Sequence, residues 1–355
     1  MTEEQRVLLN LTKCGIGNTD YILIPSTINW RNILSLSLKQ GVNAIVLDGL
    51  NSSFNAGIAV SMPFGEKMEM IGASQQVENV YAQHQKALND LSHFYSKYGI
   101  RTMVLKGLGL SNNYPIPNHR PCGDIDIYLF GETDKADNLL NKEYGIEVDN
   151  SHHNHTVFTF QGITIENHYN FANIYAHRSS AKVDRWLKEM VKDSQQEGRV
   201  WLPSPNFNAL YVLRHAASHF AAEEITIRHL LDWGFFVEKN FDKVDWTWHW
   251  DICQELNMDK FLLAINEICV QEFGFDSNMF KMGCDKTLTD RVLSEILQPE
   301  YDQENPQSVF LYVLSRWRRW KKSGWKRKIV YPEGTLVTFG TQVFSHLIKP
   351  STLNN

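Results

Sequence analysis

Apolar and polar positions change their period twice along this chain. Over residues 1–98 they recur at helical spacing: Trp30, Ile33, Leu34 and Leu38 lie three or four apart, and Gly41 breaks the series. The run 44–50 is a further apolar piece, and 51–57 (NSSFNAG) and 61–66 (SMPFGE) read as loop. Residues 74–98 predict a long helix with the stripe Val77, Val80, Tyr81, Leu88, Leu91, Phe94 and Tyr95, ended by Gly99. The pattern then shortens. Residues 100–105 read as a buried strand, 107–114 as a turn into a short helix, and 114–120 as loop, with Pro115, Pro117 and Pro121 barring regular structure. A second strand is expected over 125–130, a helix over 132–144 capped by Gly145, and a hairpin of strands 156–160 and 163–169 turning at Gln161-Gly162.

Past Ala176 helical spacing returns. A helix is expected over 183–191. Trp201-Leu202-Pro203-Ser204-Pro205 reads as a rigid connection, and Asn206 or Asn208 as the cap of a helix through Phe220. Helices over 225–237, 246–256, 260–273, 288–297 and 308–320 follow. The order predicts an α+β fold: a small mixed β-sheet core (99–176) flanked by an N-terminal helical arm (1–98) and a C-terminal helical bundle (177–355). No repeat of fixed period and no low-complexity segment interrupts it.

Composition changes this picture little. Ten tryptophans and nineteen phenylalanines supply bulk for a sizeable core. The net charge of -5 does not exclude a nucleic-acid partner, because 316–328 (RWRRWKKSGWKRK) concentrates eight basic residues around Trp317, Trp320 and Trp325. The simplest reading of that run is a helix with its Trp side packed inward and its cations solvated; the alternative is an RNA-stacking surface. The five cysteines are scattered, with no CxxC pair, which fits reduced thiols rather than a zinc framework. The N-terminus is acidic and polar, unlike a secretory signal, and no apolar run reaches membrane-span length. A soluble, cytoplasmic protein is expected.

The candidate chemistry centres on 103–130. In an extended strand Asp124 and Asp126 project to one face while Ile125 and Ile127 project to the other. Two adjacent carboxylates contribute only repulsion unless a cation sits between them, and a divalent metal holding a phosphate is the first choice. Two magnesium ions about 4 Å apart would need a third acid. Thr164, Glu166 and His168 share one face of the later strand, so Glu166 is the candidate third ligand and general base. Lys106-Gly107 opens a short helix, where backbone N–H groups and a close approach at glycine suit a triphosphate, and Arg120 has the fork to clamp phosphate oxygens.

Lys106-Gly107, Leu108 to Leu110, Tyr114, Pro117, Arg120 and Gly123-Asp124-Ile125-Asp126, followed by Glu166-Asn167-His168, resemble the motifs of the polymerase-β-like nucleotidyltransferase superfamily. Within it, the chain is most similar to a bacterial family of uncharacterised nucleotidyltransferases. Leu213-Arg214-His215 with His219, and Arg228-His229-Leu230-Leu231-Asp232, resemble that family's helical part, so the likeness spans roughly residues 20–330. Two departures stand out: Leu108 follows Gly107 where serine or glycine is usual, and the third acid is Glu166 where aspartate is commoner.

The resemblance implies a metal-dependent transfer of a nucleoside monophosphate from an NTP to a hydroxyl-bearing acceptor, releasing pyrophosphate. ATP is the default donor by abundance, and the acceptor is a small molecule, a protein or a nucleic-acid end. Asp124, Asp126 and Glu166 are the expected catalytic residues and ligands of magnesium, or of manganese in its place. Lys106, Gly107, Arg120 and Gly123 are the expected nucleotide contacts, with His155, His168, Arg228 and Asp232 as cleft-lining candidates. The alternative is an inactive nucleotidyltransferase-like module that binds nucleotide or a partner. The simpler readings of the histidines are that His153 and His155 flank the cleft before the strand, and that His215 and His219 are packing residues on one helical face.

Overall fold

Among the described residues six short strands form one mixed sheet, which carries Asp126 and Glu166 on two of its strands, with Asp124 immediately before the first of these. The strands are β1 (Met103–Val104), β2 (Ile125–Tyr128), β3 (His155–Phe160), β4 (Ile163–His168), β5 (Gln195–Glu197) and β6 (Val200–Leu202), in the order β3-β4-β2-β1-β6-β5. β2 and β4 run parallel, as do β1 and β6; the other neighbours are antiparallel. The computed structural model describes residues 1–299, 321–334, 337 and 340, and the helix expected over 308–320 falls outside them.

The chain divides into two compact units: residues 1–71, 213–241 and 246–334, and residues 72–212, 242–245 and 335–355. The second contains the sheet. Ile125, Ile127, Ile163, Ile165, Phe158 and Phe160 form its apolar face, against which pack Leu88, Leu91 and Tyr95 of a long helix (Phe64–Ser96) and Ala136 and Leu140 of another (Thr133–Tyr144). Gly145 ends the latter at φ 66°, the left-handed conformation a helix C-cap uses. The hairpin β3–β4 turns at Gln161 and Gly162, both at positive φ (52° and 80°), as a tight two-residue turn requires.

The first unit is helical. Its helices Glu3–Gly15 and Asn43–Asn55 cross closely: a Cβ on Gly15 would lie 1.8 Å from the Ile45 carbonyl oxygen, and one on Gly49 would lie 2.1 Å from that of Leu11. Trp233, on the helix Ile227–Asn240, is buried and donates its indole N–H to Asn266 Oδ1 at 2.8 Å.

Several boundaries differ from the sequence expectation. The long helix starts at Phe64, immediately after Pro63, so much of the expected loop 61–66 is helical, as are residues 51–55. Trp201 and Leu202, expected in a rigid connection, form strand β6, paired with β5 and with β1. The helix Pro205–Ala222 is capped by Ser204, whose Oγ accepts from the Phe207 N–H at 3.3 Å, rather than by Asn206 or Asn208. In the basic run, Trp325 packs on Phe220. Lys326 is buried on Glu295 at 2.5 Å rather than solvated, while Trp317 and Trp320 lie outside the described residues. Among the described residues no helix is long and apolar enough to cross a membrane.

Candidate active site

The alternation in β2 explains where the acids go. Ile125 and Ile127 are drawn into the core, so Asp126 turns to the opposite face of the sheet. In the parallel ladder Asp126 stands opposite Glu166, and Tyr128 opposite His168. An oxygen from each of Asp124, Asp126 and Glu166 lies within 4.8 Å of the others. Three carboxylates so close repel one another, and side chains of the same unit supply the compensation. Lys106 Nζ is 2.8 Å from Asp126 Oδ1, and His168 Nε2 is 2.9 Å from that same oxygen and 3.4 Å from Glu166 Oε2.

Local backbone geometry delivers Lys106. The Leu105 N–H donates to the Asp126 carbonyl at 3.0 Å, which extends the β1–β2 pairing to the residue before the lysine. Gly107 then takes φ 61° and ψ −116°, a conformation open to glycine, and a Cβ there would sit 3.8 Å from the Asp124 carbonyl oxygen. The helix that follows is only Leu108–Ser111. Ser111, the hydroxyl nearest the expected phosphate turn, is buried; it donates to the Leu108 carbonyl at 2.7 Å and lies 2.9 Å from the Tyr81 hydroxyl.

The charges shift one another. Burial alone would raise the Asp126 carboxyl, but Lys106 and His168 hold it well below the usual range. Burial, then the neighbouring Asp126, raises Asp124. Burial would raise Glu166, but the His168 hydrogen bond together with the Lys106 and His155 charges lowers it. Burial disfavours the Lys106 ammonium, but Asp126, Tyr211, Asp124 and Glu166 together more than offset this, so its pKa is raised. Burial likewise opposes the His168 cation, yet its bonds to Asp126 and Glu166 push it up to about 9. His155, paired across the hairpin with His168, is 3.9 Å from Glu166 Oε1 and is held down to about 4, by burial first and then by the His168 charge.

The remaining candidates are placed as follows. Arg120 is buried in its own loop, its Nη1 donating to the Pro121 carbonyl at 3.2 Å and lying 3.7 Å from Cys122 Sγ. Gly123 has open space where a Cβ would project. Arg228 and Asp232 lie in the first unit, where the Arg228 N–H donates to the Gln40 carbonyl at 3.3 Å. His152 stacks on His155 with centroids 4.7 Å apart. Sequence reasoning missed Tyr211, which sits in the apolar stretch Ala209–Leu213 and reads as core. Its buried phenol feels the charges of Lys106, Asp126, Glu166 and Asp124, and burial above all raises its pKa.

The donor set suits a hard divalent cation, which prefers carboxylate oxygens. A specific observation supports the fit: Asp126 Oδ2 is buried and accepts no hydrogen bond, a costly state for a carboxylate that a cation would relieve.

The sheet thus presents three convergent carboxylates beside a lysine and a glycine turn, a set able to hold a divalent cation. The sequence model of the family described as "Uncharacterised nucleotidyltransferase" matches residues 26–274, and the chain belongs to that family. No curated protein and no solved structure matches it.

Proposed function

We propose that the protein is a divalent-metal-dependent nucleotidyltransferase of the polymerase-β-like type. It transfers a nucleoside monophosphate from an NTP, ATP by default, to a hydroxyl-bearing acceptor. The observation that carries this reading is the convergence of Asp124, Asp126 and Glu166 around the unsatisfied Asp126 Oδ2.

These three side chains would hold magnesium or manganese through their oxygens. Bound there, the cation supplies Lewis-acid polarisation of phosphoryl and hydroxyl oxygens. Lys106 contributes a fixed positive charge beside Asp126, and Gly107 lets the backbone pass close to a triphosphate. Arg120 belongs to the nucleotide-binding set through the loop it braces ahead of Gly123 and Asp124. The acceptor oxygen attacks the α-phosphorus, the bond to the β-bridging oxygen breaks, and pyrophosphate leaves with the bonding pair. The acceptor proton passes to a carboxylate or to water. The His168 bond to Glu166 lowers that carboxyl and weights it toward ligation rather than proton uptake.

The test is incubation of α-labelled triphosphates with Mg²⁺ or Mn²⁺ and cell extract. An acceptor becomes labelled, and Asp124→Ala with Asp126→Ala erases the label; label that survives the double change sinks the mechanism. A second reading, a nucleotide-binding module without turnover, draws on Leu108 and on the engagement of Ser111 with Tyr81. Retained ATP binding without label transfer to any acceptor would favour it.

A further inference from the structure

We propose that this site holds one divalent cation rather than two, with Lys106 standing where a second ion would bind Asp126. The inference rests on the metal-dependent reading above and concerns the number of ions. A carboxylate bridges two ions by offering one oxygen to each. Each oxygen has about two acceptor positions in the carboxylate plane. On Asp126 Oδ1 both are taken, one by Lys106 Nζ at 2.8 Å and one by His168 Nε2 at 2.9 Å. Oδ2 alone accepts nothing, and it is buried in a side chain only 1% exposed.

The neighbours reinforce the asymmetry. Asp124 and Glu166 each bring an oxygen within 4.8 Å of Asp126, enough for one ion with three protein ligands. Glu166 Oε2 lies 3.4 Å from the His168 Nε2 that also meets Asp126 Oδ1, so the imidazole leans on two of the three acids. A second ion on Oδ1 would have to displace the half-buried Lys106 ammonium and leave it without its carboxylate, and the two positive charges would repel at short range. Lys106 thereby supplies, as a permanent part of the chain, the charge that a second ion would otherwise bring.

The experiment counts Mn²⁺ on the purified full chain by equilibrium dialysis and by electron paramagnetic resonance, with and without α,β-methylene-ATP. The expected result is one Mn²⁺ per chain in both conditions, with no spin-coupled pair. Lys106→Met vacates one position on Oδ1 and is expected to raise the count to two, with a coupled signal. Two ions on the unmodified chain would overturn the single-ion inference and leave the metal-dependent reading standing. No Mn²⁺ in either condition would overturn that reading itself. A count that stays at one in Lys106→Met would overturn the role given to the lysine. Should that variant fail to fold, the count on the unmodified chain decides.

Discussion

Asp126 and Glu166 stand directly opposite each other in the parallel ladder of β2 and β4, two acids where a sheet gains from opposite charges or apolar contact. Their stability costs differ because their partners differ. Asp126 is buried against Lys106, and breaking such a pair by removing one charge costs about 3 kcal/mol or more. Glu166 is partly exposed and opposes a like charge, worth up to about 1 kcal/mol of repulsion. In urea denaturation with chelator present, Asp126→Asn is therefore expected to destabilise strongly, whereas Glu166→Gln, which gives up only the favourable His168, Lys106 and His155 contributions at a partly exposed site, costs about 1 kcal/mol or less. Added Mg²⁺ at a hundredfold its dissociation constant stabilises the unmodified chain by about 2.7 kcal/mol and leaves Asp126→Asn unaffected. Equal losses for the two variants would remove the asymmetry.

The paired histidines His155 and His168 give the metal-free protein a stability optimum near pH 6.5. His168 is raised from 6.5 to about 9, so its contribution is full below pH 6.5 and is lost as pH climbs toward 9. His155 is lowered to about 4, so the unfolded chain takes up a proton that the folded chain refuses between pH 6.5 and 4, and stability falls there as well. Each limb amounts to roughly 3 kcal/mol at most. Denaturation across pH 4 to about 9 checks this: His168→Asn is expected to flatten the alkaline limb and His155→Asn the acid one. An alkaline limb that persists in His168→Asn would assign it to other groups.

Tyr211 joins packing to the site's charge. Its ring lies 5.5 Å from Phe207 and 5.9 Å from Phe171, centroid to centroid, while its phenol feels all three acids and Lys106. Tyr211→Phe keeps the rings and is expected to cost about 1 kcal/mol, whereas Tyr211→Ala opens a cavity and costs about 3 to 5 kcal/mol. Label transfer falls in both. Full activity in Tyr211→Phe would reduce the residue to packing.

Local signals carried a good part of this molecule. Period-two alternation placed Asp124 and Asp126 on one face, and Thr164, Glu166 and His168 on one face of another strand, because side-chain direction in a strand follows from chain geometry alone. The Gln161-Gly162 turn and the Gly145 cap were legible because their backbone angles favour particular residues. Strands β5 and β6 were not. Three residues each are too few to show a period, and they are strands because β6 finds β1.

What the sequence determined by itself, then, was which residues could share a face: Asp124 with Asp126, the Glu166 face of β4, and the glycine after Lys106 that lets the chain turn. Only the tertiary structure decided that β4 lies beside β2 in the register that sets Asp126 against Glu166. It also decided that Lys106 and His168 both close on one oxygen of Asp126, and that a tyrosine more than eighty residues beyond the two aspartates lies within reach of their charge. The reason is that local angles fix the direction of a side chain, whereas its partners are chosen by burial and charge between segments far apart in the chain.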